Sequence, residues 1–265
     1  MRMTVPSFRA RKGSAPPLVV LTAYDAATTA VAEAAGVDCI LVGDSLGMVV
    51  LGHDTTLKVT VDDMVHHAAA VGRCRENALL VVDMPWLSYP VTVEEAVRNA
   101  ARMVQETGAD AVKLEGGAKR VPVIRAILDA EIPVMGHVGL TPQSVLAMGG
   151  YKVQGRDEQA AGRVLEDARA VADAGAFSVV LEGIPADLAE RVTAEIGIPT
   201  IGIGAGAGCD GQVLVIHDLL GMLPGKSPKF VRRYADALED QSAAVRRWVE
   251  DVRSGAFPAS GETYK

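Results

Sequence analysis

The sequence predicts an α/β fold, a (β/α)8 TIM barrel formed as a single domain with a C-terminal helical tail. Three observations carry this expectation. About eight short apolar runs alternate with helical patterns along the 265 residues, and such units build an all-parallel sheet covered on its faces. Hydrophobic residues make up 49% of the chain and aromatic ones only 4%, so the core is filled by Ala, Val, Leu and Ile, as in parallel sheets packed under Ala-rich helices. One joint also recurs: Ala35-Gly36-Val-Asp38 leads into Cys39-Ile-Leu-Val42, Thr107-Gly108-Ala-Asp110 into Ala111-Val-Lys-Leu114, and Ala174-Gly175-Ala-Phe177 into Ser178-Val-Val-Leu181. In each, a glycine can take the left-handed conformation that ends a helix, and a strand begins within a few residues. Eight units close naturally into a barrel, whereas five or six would favour an open doubly wound sheet.

In order, residues 1–17 read as a polar lead-in with room for a short helix, followed by a first buried strand over Leu18–Thr22. Asp25 to Ala35 reads as an Ala-rich helix stopped by Gly36. Val59-Thr60-Val-Asp-Asp63 and Val91-Thr92-Val-Glu-Glu95 each offer a capping box, which assigns Asp63 and Glu95 to helix starts and not to catalysis. Further strands fall at Leu79–Val82, Val134–Val138, Thr200–Ile203 and Val213–Ile216, the last of which could instead open a helix. From Phe230 on, Phe230, Val231, Tyr234, Leu238, Val245, Trp248, Val249 and Val252 follow helical spacing that Gly255 and Pro258 end. This tail, about residues 228–265, would pack on the barrel or on a neighbouring subunit. No linker divides the chain, so residues 1–265 are expected to form one barrel domain.

A net charge of −7 without a long basic run leaves no electrostatic footprint for nucleic acid or an anionic bilayer. Cys39, Cys74 and Cys209 are odd in number and lack C-x-x-C pairing, which fits a reducing compartment and small buried hydrophobes. Arg9, Arg11 and Lys12 precede an apolar run, Leu18 to Leu21, too short for a signal-peptide core or a membrane span. A cytoplasmic protein acting on small molecules is expected.

Four apolar runs each end on an acid: Ile40-Leu-Val-Gly-Asp44, Leu80-Val-Val-Asp83, Val112-Lys-Leu-Glu115 and Val179-Val-Leu-Glu182. In a barrel all strand C-termini lie at one mouth, so Asp44, Asp83, Glu115 and Glu182 would converge there. Any one of them could instead cap the helix that follows. Together they repel and raise one another's pKa unless a cation or proton compensates. With oxygen ligands and no Cys or His cluster of metal-binding spacing, the compensating ion would be Mg²⁺ or a similar hard cation. Lys113, two residues before Glu115, shares its strand face and would point into the barrel, against an anionic substrate or in a structural ion pair. His137 sits where a strand reaches the mouth and could line the pocket or pack within it. Gly202-Ile-Gly204-Ala-Gly206-Ala-Gly208 meets a dinucleotide fingerprint only loosely, and its glycines would let the backbone turn closely around a ligand at the tip of strand seven.

Seven motifs then form a recognisable set: Leu21-Thr-Ala-Tyr-Asp25, Leu41-Val-Gly-Asp-Ser-Leu-Gly-Met48, Gly52-His-Asp-Thr-Thr56, Val112-Lys-Leu-Glu-Gly-Gly117, Gly136-His-Val-Gly-Leu-Thr-Pro-Gln143, Gly150-Tyr-Lys-Val-Gln-Gly155 and Ile201-Gly-Ile-Gly-Ala-Gly206. In order, from about Phe8 to about Tyr234, they resemble the ketopantoate hydroxymethyltransferase family. The resemblance implies a Mg²⁺-dependent (β/α)8 enzyme of pantothenate biosynthesis. It would transfer a one-carbon unit from 5,10-methylenetetrahydrofolate to 3-methyl-2-oxobutanoate through an enolate, forming 2-dehydropantoate, and would assemble as a homodecamer. It implies Asp44 and Asp83 as metal ligands, with Glu115 contributing directly or through water. It gives the oxo acid to Asp44, Ser45, Asp83 and Lys113, and it matches Glu182 to the proton-transfer residue. The ending Gly261-Glu-Thr-Tyr-Lys265 departs from the family's pattern.

Two other readings compete. A Mg²⁺-dependent lyase or mutase of the isocitrate lyase and phosphoenolpyruvate mutase type also handles enolates of oxo acids in a barrel, but no equivalent of its catalytic cysteine loop or phosphate-handling site stands in this sequence. A non-catalytic oligomeric scaffold would have no reason to concentrate Asp44, Asp83, Lys113, Glu115 and Glu182 inside a barrel.

Overall fold

The computed structural model describes residues 2–264; Met1 and Lys265, the ends of the range expected for the domain and its tail, lie outside the described residues. Contacts divide the chain into two compact units, one ending at Ile216 and one beginning at His217.

The first unit contains β1 (Leu18–Thr22), β2 (Cys39–Val42), β3 (Leu79–Asp83), β4 (Ala111–Glu115), β5 (Val134–Gly139), β6 (Ser178–Glu182), β7 (Thr200–Ile203) and β8 (Gly211–Leu214). They form a closed barrel in sequence order, and β8 pairs in parallel with β1. Helices α1 (Val5–Arg9), α2 (Ala26–Ala35), α3 (Leu46–Val49), α4 (Val61–Cys74), α5 (Val93–Thr107), α6 (Val121–Asp129), α7 (Val145–Met148), α8 (Glu158–Asp173) and α9 (Ala186–Glu195) lie before and between the strands. The expected joints are visible in the backbone. Gly36 and Gly108 end α2 and α5 in the left-handed conformation, while α8 ends on a right-handed Ala174 and reserves positive φ for Gly175.

Strand alternation explains what the barrel holds. Leu79 and Val81, Ala111, Met135 and Val180 lie in one buried apolar cluster with Leu18, Val20, Cys39, Leu41, Ile201 and Val213. Stepping two residues along the same strand faces leads to Asp83, Lys113, Glu115, His137 and Glu182. The interior is therefore apolar below and ionisable at the C-terminal mouth. The intervening Leu80, Val82, Val112 and Leu114 are also fully buried, facing the helical layer.

The floor is finished by the N-terminal lead-in. Thr4 caps α1 through a reciprocal capping box with Ser7, and Phe8 is fully buried in the interior cluster. Its ring meets Phe177 edge to face, with centroids 5.8 Å apart.

Two local expectations are corrected. The eighth strand runs over Gly211–Leu214, two residues earlier than Val213–Ile216, and Ile216 opens a helix, α10 (Ile216–Leu220). The N–H of Ile216 donates to Thr22 Oγ1 at 3.0 Å, which takes it out of the strand ladder. In the second unit α11 spans Ala237–Ser254, so Phe230, Val231 and Tyr234 precede the helix that their spacing suggested. Tyr234 N–H is held by the carbonyl of Leu219, and Val231 N–H by that of Pro228, in a turn that leaves no helical ladder there. Gly255 ends α11 in the left-handed conformation. None of the residues of α11 is buried, and its apolar stripe of Leu238, Val245, Trp248 and Val252 is exposed. Among the described residues no helix is long and apolar enough to cross a membrane, and all three cysteines are free, with Cys39 and Cys209 buried.

Candidate active site

Asp83, Glu115 and Glu182 are the last residues of β3, β4 and β6, and Asp44 lies two residues beyond β2. The register of the parallel sheet sets Asp83 beside Lys113, Glu115 beside His137 and Gly139 beside Glu182. Side chains from neighbouring strands at such positions point to the same interior. The result is a continuous chain of contacts. The N–H of Asp44 donates to Asp83 Oδ2 at 3.1 Å. Asp83 Oδ1 lies 2.9 Å from Lys113 Nζ, and Lys113 Nζ lies 3.3 Å from His137 Nδ1. His137 then stands between two acids, with Nδ1 3.5 Å from Glu115 Oε1 and Nε2 3.2 Å from Glu182 Oε2.

Asp44, Asp83, Lys113, Glu115 and His137 are all buried, whereas the Glu182 side chain keeps 16% of its surface exposed. Glu182 is thus the acid of this group open to an incoming molecule. It is set by a close approach between strands: the N–H of Leu140 donates to the Glu182 carbonyl at 2.8 Å. Gly139 permits this, because at φ 93° a Cβ there would collide with the same carbonyl oxygen. Ser45 Oγ shares a hydrogen bond of 2.8 Å with the Tyr24 hydroxyl, an interaction that the sequence did not suggest.

Burial and like charge govern the electrostatics. Burial, together with the neighbouring Asp83 and Glu115, pushes the Asp44 carboxyl well above the usual carboxylate range. Burial also raises Asp83, although the Lys113 ammonium pulls the other way. Burial opposes the charge on Lys113, but Asp83, Glu115 and Asp44 outweigh it, so the ammonium is held more firmly than in water. His137 meets competing demands. Its contact with Lys113 needs an unprotonated Nδ1, while its contacts with Glu115 and Glu182 favour the imidazolium. Burial and Lys113 lower its pKa, yet the two flanking carboxylates prevail and push it up to about 9.

These side chains fit a divalent cation held by few protein ligands. Asp83 Oδ1 is buried without a hydrogen bond of good geometry, and the buried carboxylates outnumber the cations beside them. Among the described residues no three Cys, His, Asp or Glu side chains close into a ligand cage. Mg²⁺ does not require one, since one or two carboxylates with water and substrate oxygens complete its octahedron. The glycine-rich segment after β7 serves the protein itself: side chains at Gly206 and Gly208 would run into Ala186 and Glu190 of α9.

Sequence reasoning missed Gln143 and Tyr89. Gln143 Nε2 donates to Asp44 Oδ2 at 2.9 Å, its backbone N–H donates to Glu115 Oε2 at 3.0 Å, and Tyr89 hydroxyl donates to its Oε1 at 2.6 Å. The one signal for Gln143 was its place at the end of the motif beginning at Gly136. Tyr89 stood in no motif.

A barrel with an acidic, lysine-bearing mouth belongs by shape with a wide group of solved structures. A putative phosphonomutase from Burkholderia cenocepacia superposes with a TM-score of 0.67 at 18% identity, covering 92% of this chain and 99% of that one. A 2,3-dimethylmalate lyase of the PEP mutase/isocitrate lyase superfamily gives 0.61 at 20% identity, covering 98% and 90%. At these identities the similarity establishes the fold class, an α/β barrel of this architecture. Sequence is more specific. The family model for ketopantoate hydroxymethyltransferase matches residues 2–260. The 3-methyl-2-oxobutanoate hydroxymethyltransferase of Pelobacter propionicus is 57% identical over 263 residues, 99% of this chain and 97% of the relative. That of Geobacter sulfurreducens is 56% identical over 261 residues, 98% of each. The chain belongs to the ketopantoate hydroxymethyltransferase family.

Proposed function

We propose that this chain transfers a hydroxymethyl group from 5,10-methylenetetrahydrofolate to 3-methyl-2-oxobutanoate, forming 2-dehydropantoate on the route to pantothenate and coenzyme A. It does so with Mg²⁺, in the cytoplasm, as a homo-oligomer that family resemblance makes a decamer. The observation that carries the chemistry is the unbroken contact chain from Asp83 through Lys113 and His137 to Glu182. It joins a charge-binding end to a partly open base.

Asp44 and Asp83 hold the metal, with Glu115 contributing directly or through water. A bound Mg²⁺ supplies positive charge that polarises the keto oxygen of the oxo acid and lowers the cost of removing the adjacent proton. Ser45, with Asp44 and Asp83 on the same side, positions the oxo acid, and the Lys113 ammonium faces its negative charge. Glu182 takes the proton from C3. His137 Nε2, 3.2 Å from the Glu182 carboxylate, braces that base from behind. The enolate carbon then forms a bond to the methylene carbon of the folate. Over the reaction both C–N bonds of that carbon break, one water supplies the hydroxyl oxygen of the product, and the proton from C3 and one from the water end on the two folate nitrogens.

The lyase or mutase alternative finds support only in a fold shared at low identity, and the scaffold alternative leaves the buried charges without a purpose. Incubation with 3-methyl-2-oxobutanoate in D₂O, with and without Mg²⁺, tests all three. Loss of the C3 proton by NMR, followed by 2-dehydropantoate when methylenetetrahydrofolate is added, is the expected result. No exchange would favour a scaffold, and exchange without product would favour the lyase type. Glu182→Gln is expected to slow exchange by at least about 100-fold, within the range of general-base contributions, with metal binding retained. Wild-type exchange in that variant would remove Glu182 from the base role.

A further inference from the structure

Gln143 follows β5 in a short 3₁₀ turn over Pro142–Ser144 and is only 7% exposed. Its amide is saturated. The two Nε2 protons go to Asp44 Oδ2 at 2.9 Å and to the Met84 carbonyl at 3.0 Å, and Oε1 accepts from the Tyr89 hydroxyl at 2.6 Å. The backbone N–H of the same residue goes to Glu115 Oε2 at 3.0 Å. Tyr89 is 3% exposed. Its oxygen accepts the N–H of Glu115 at 3.2 Å, and its proton faces Gln143 Oε1 at 2.6 Å with the Glu115 carbonyl a longer acceptor at 3.3 Å. The orientation of the amide is set by its NH₂ side, because the reversed group would aim its oxygen at the Asp44 carboxylate and the Met84 carbonyl, two acceptors. One residue thus grips two acids that come from β2 and β4, strands that are not neighbours in the barrel.

We propose that Gln143, held by Tyr89, is a positioning residue that fixes the separation and direction of the Asp44 and Glu115 carboxylates and thereby sets the affinity of the mouth for its divalent cation. Backbone pairing alone does not fix them: Asp44 stands beyond the end of β2, and the carboxylates must resist their mutual repulsion before a cation arrives. Outer groups that orient ligating carboxylates commonly alter metal affinity when removed. The inference rests on the metal-binding role proposed above for Asp44 and Glu115.

The test is a Mn²⁺ titration of the full-length protein, with free Mn²⁺ followed by electron paramagnetic resonance, on the wild type, Asp44→Asn, Gln143→Leu and Tyr89→Phe. Asp44→Asn is expected to abolish tight binding. Gln143→Leu should weaken it by roughly 10- to 100-fold, and Tyr89→Phe by a smaller factor in the same direction. In turnover assays the Mg²⁺ concentration for half-maximal activity should rise in both variants, and saturating Mg²⁺ should return most of the lost rate. A merely structural defect would not be repaired in that way. If the wild type binds Mn²⁺ and Gln143→Leu, correctly folded, binds it equally well, the inference falls alone. Absence of Mn²⁺ binding in the wild type sinks the metal reading and this inference with it. If Gln143→Leu does not fold, Tyr89→Phe, which removes one oxygen, decides: unchanged affinity overturns the proposal.

Discussion

Asp83 and Asp210 are both buried aspartates, and their surroundings drive them in opposite directions. Burial raises the Asp83 carboxyl despite Lys113, whereas Asp210 is lowered: burial works against its charge, but the N–H groups of Thr200 and Gly13 and the Lys12 ammonium outweigh it. A carboxyl whose folded pKa lies below its unfolded value of about 3.9 contributes stability above that pH and loses it as pH falls through the folded value. The melting-temperature gap between the wild type and Asp210→Asn should therefore be full at about pH 6 and shrink steadily below about pH 4; a gap constant across this range would discount the aspartate's charge. The same scale marks what sequence could convey about the site. Asp44, Asp83, Glu115 and Glu182 could be singled out because a short apolar run ending in an acid is a local pattern. Gln143 and Tyr89 were not, since an amide and a phenol in loops acquire meaning only from the carboxylate of Asp44 and the backbone of Glu115, which other segments bring to them. His137 was visible as a mouth residue, but its position between Glu115 and Glu182 depends on the register of three strands.

Among elements, the helix starts show how far local chemistry reaches. Thr60 and Asp63 complete a reciprocal capping box at α4, the Thr60 hydroxyl accepting from Asp63 N–H and the Asp63 carboxylate accepting from Thr60 N–H. At α5 the Thr92 hydroxyl accepts from Glu95 N–H at 3.1 Å, but the returning half of the box is absent from the cap. Thr60→Ala should accordingly cost about 1 kcal/mol in urea unfolding, more than Thr92→Ala; equal losses would show that the reciprocal bond adds nothing. Boundaries that depend on partners far along the chain were less legible. Ile216 leaves the eighth strand for a bond to Thr22 Oγ1, and Phe230 to Tyr234 keep helical spacing without helical hydrogen bonds because Leu219 claims the Tyr234 N–H.

At the scale of the molecule, barrel closure was legible from the count of units and the recurring glycine joints, but the floor was not. Nothing in a polar lead-in announces that Phe8 will be drawn under the strands to meet Phe177. Removing that ring should leave a cavity beneath the apolar layer, so Phe8→Ala is expected to destabilise the barrel by about 3–5 kcal/mol in denaturant unfolding. A loss under about 1 kcal/mol would mean that the lead-in is not part of the folded core. With Phe8 and the apolar layer filling the lower end, the buried charges of Asp83, Lys113, Glu115 and His137 rest on a dry hydrocarbon bed, so water and solutes can compensate them from the mouth side and not from beneath.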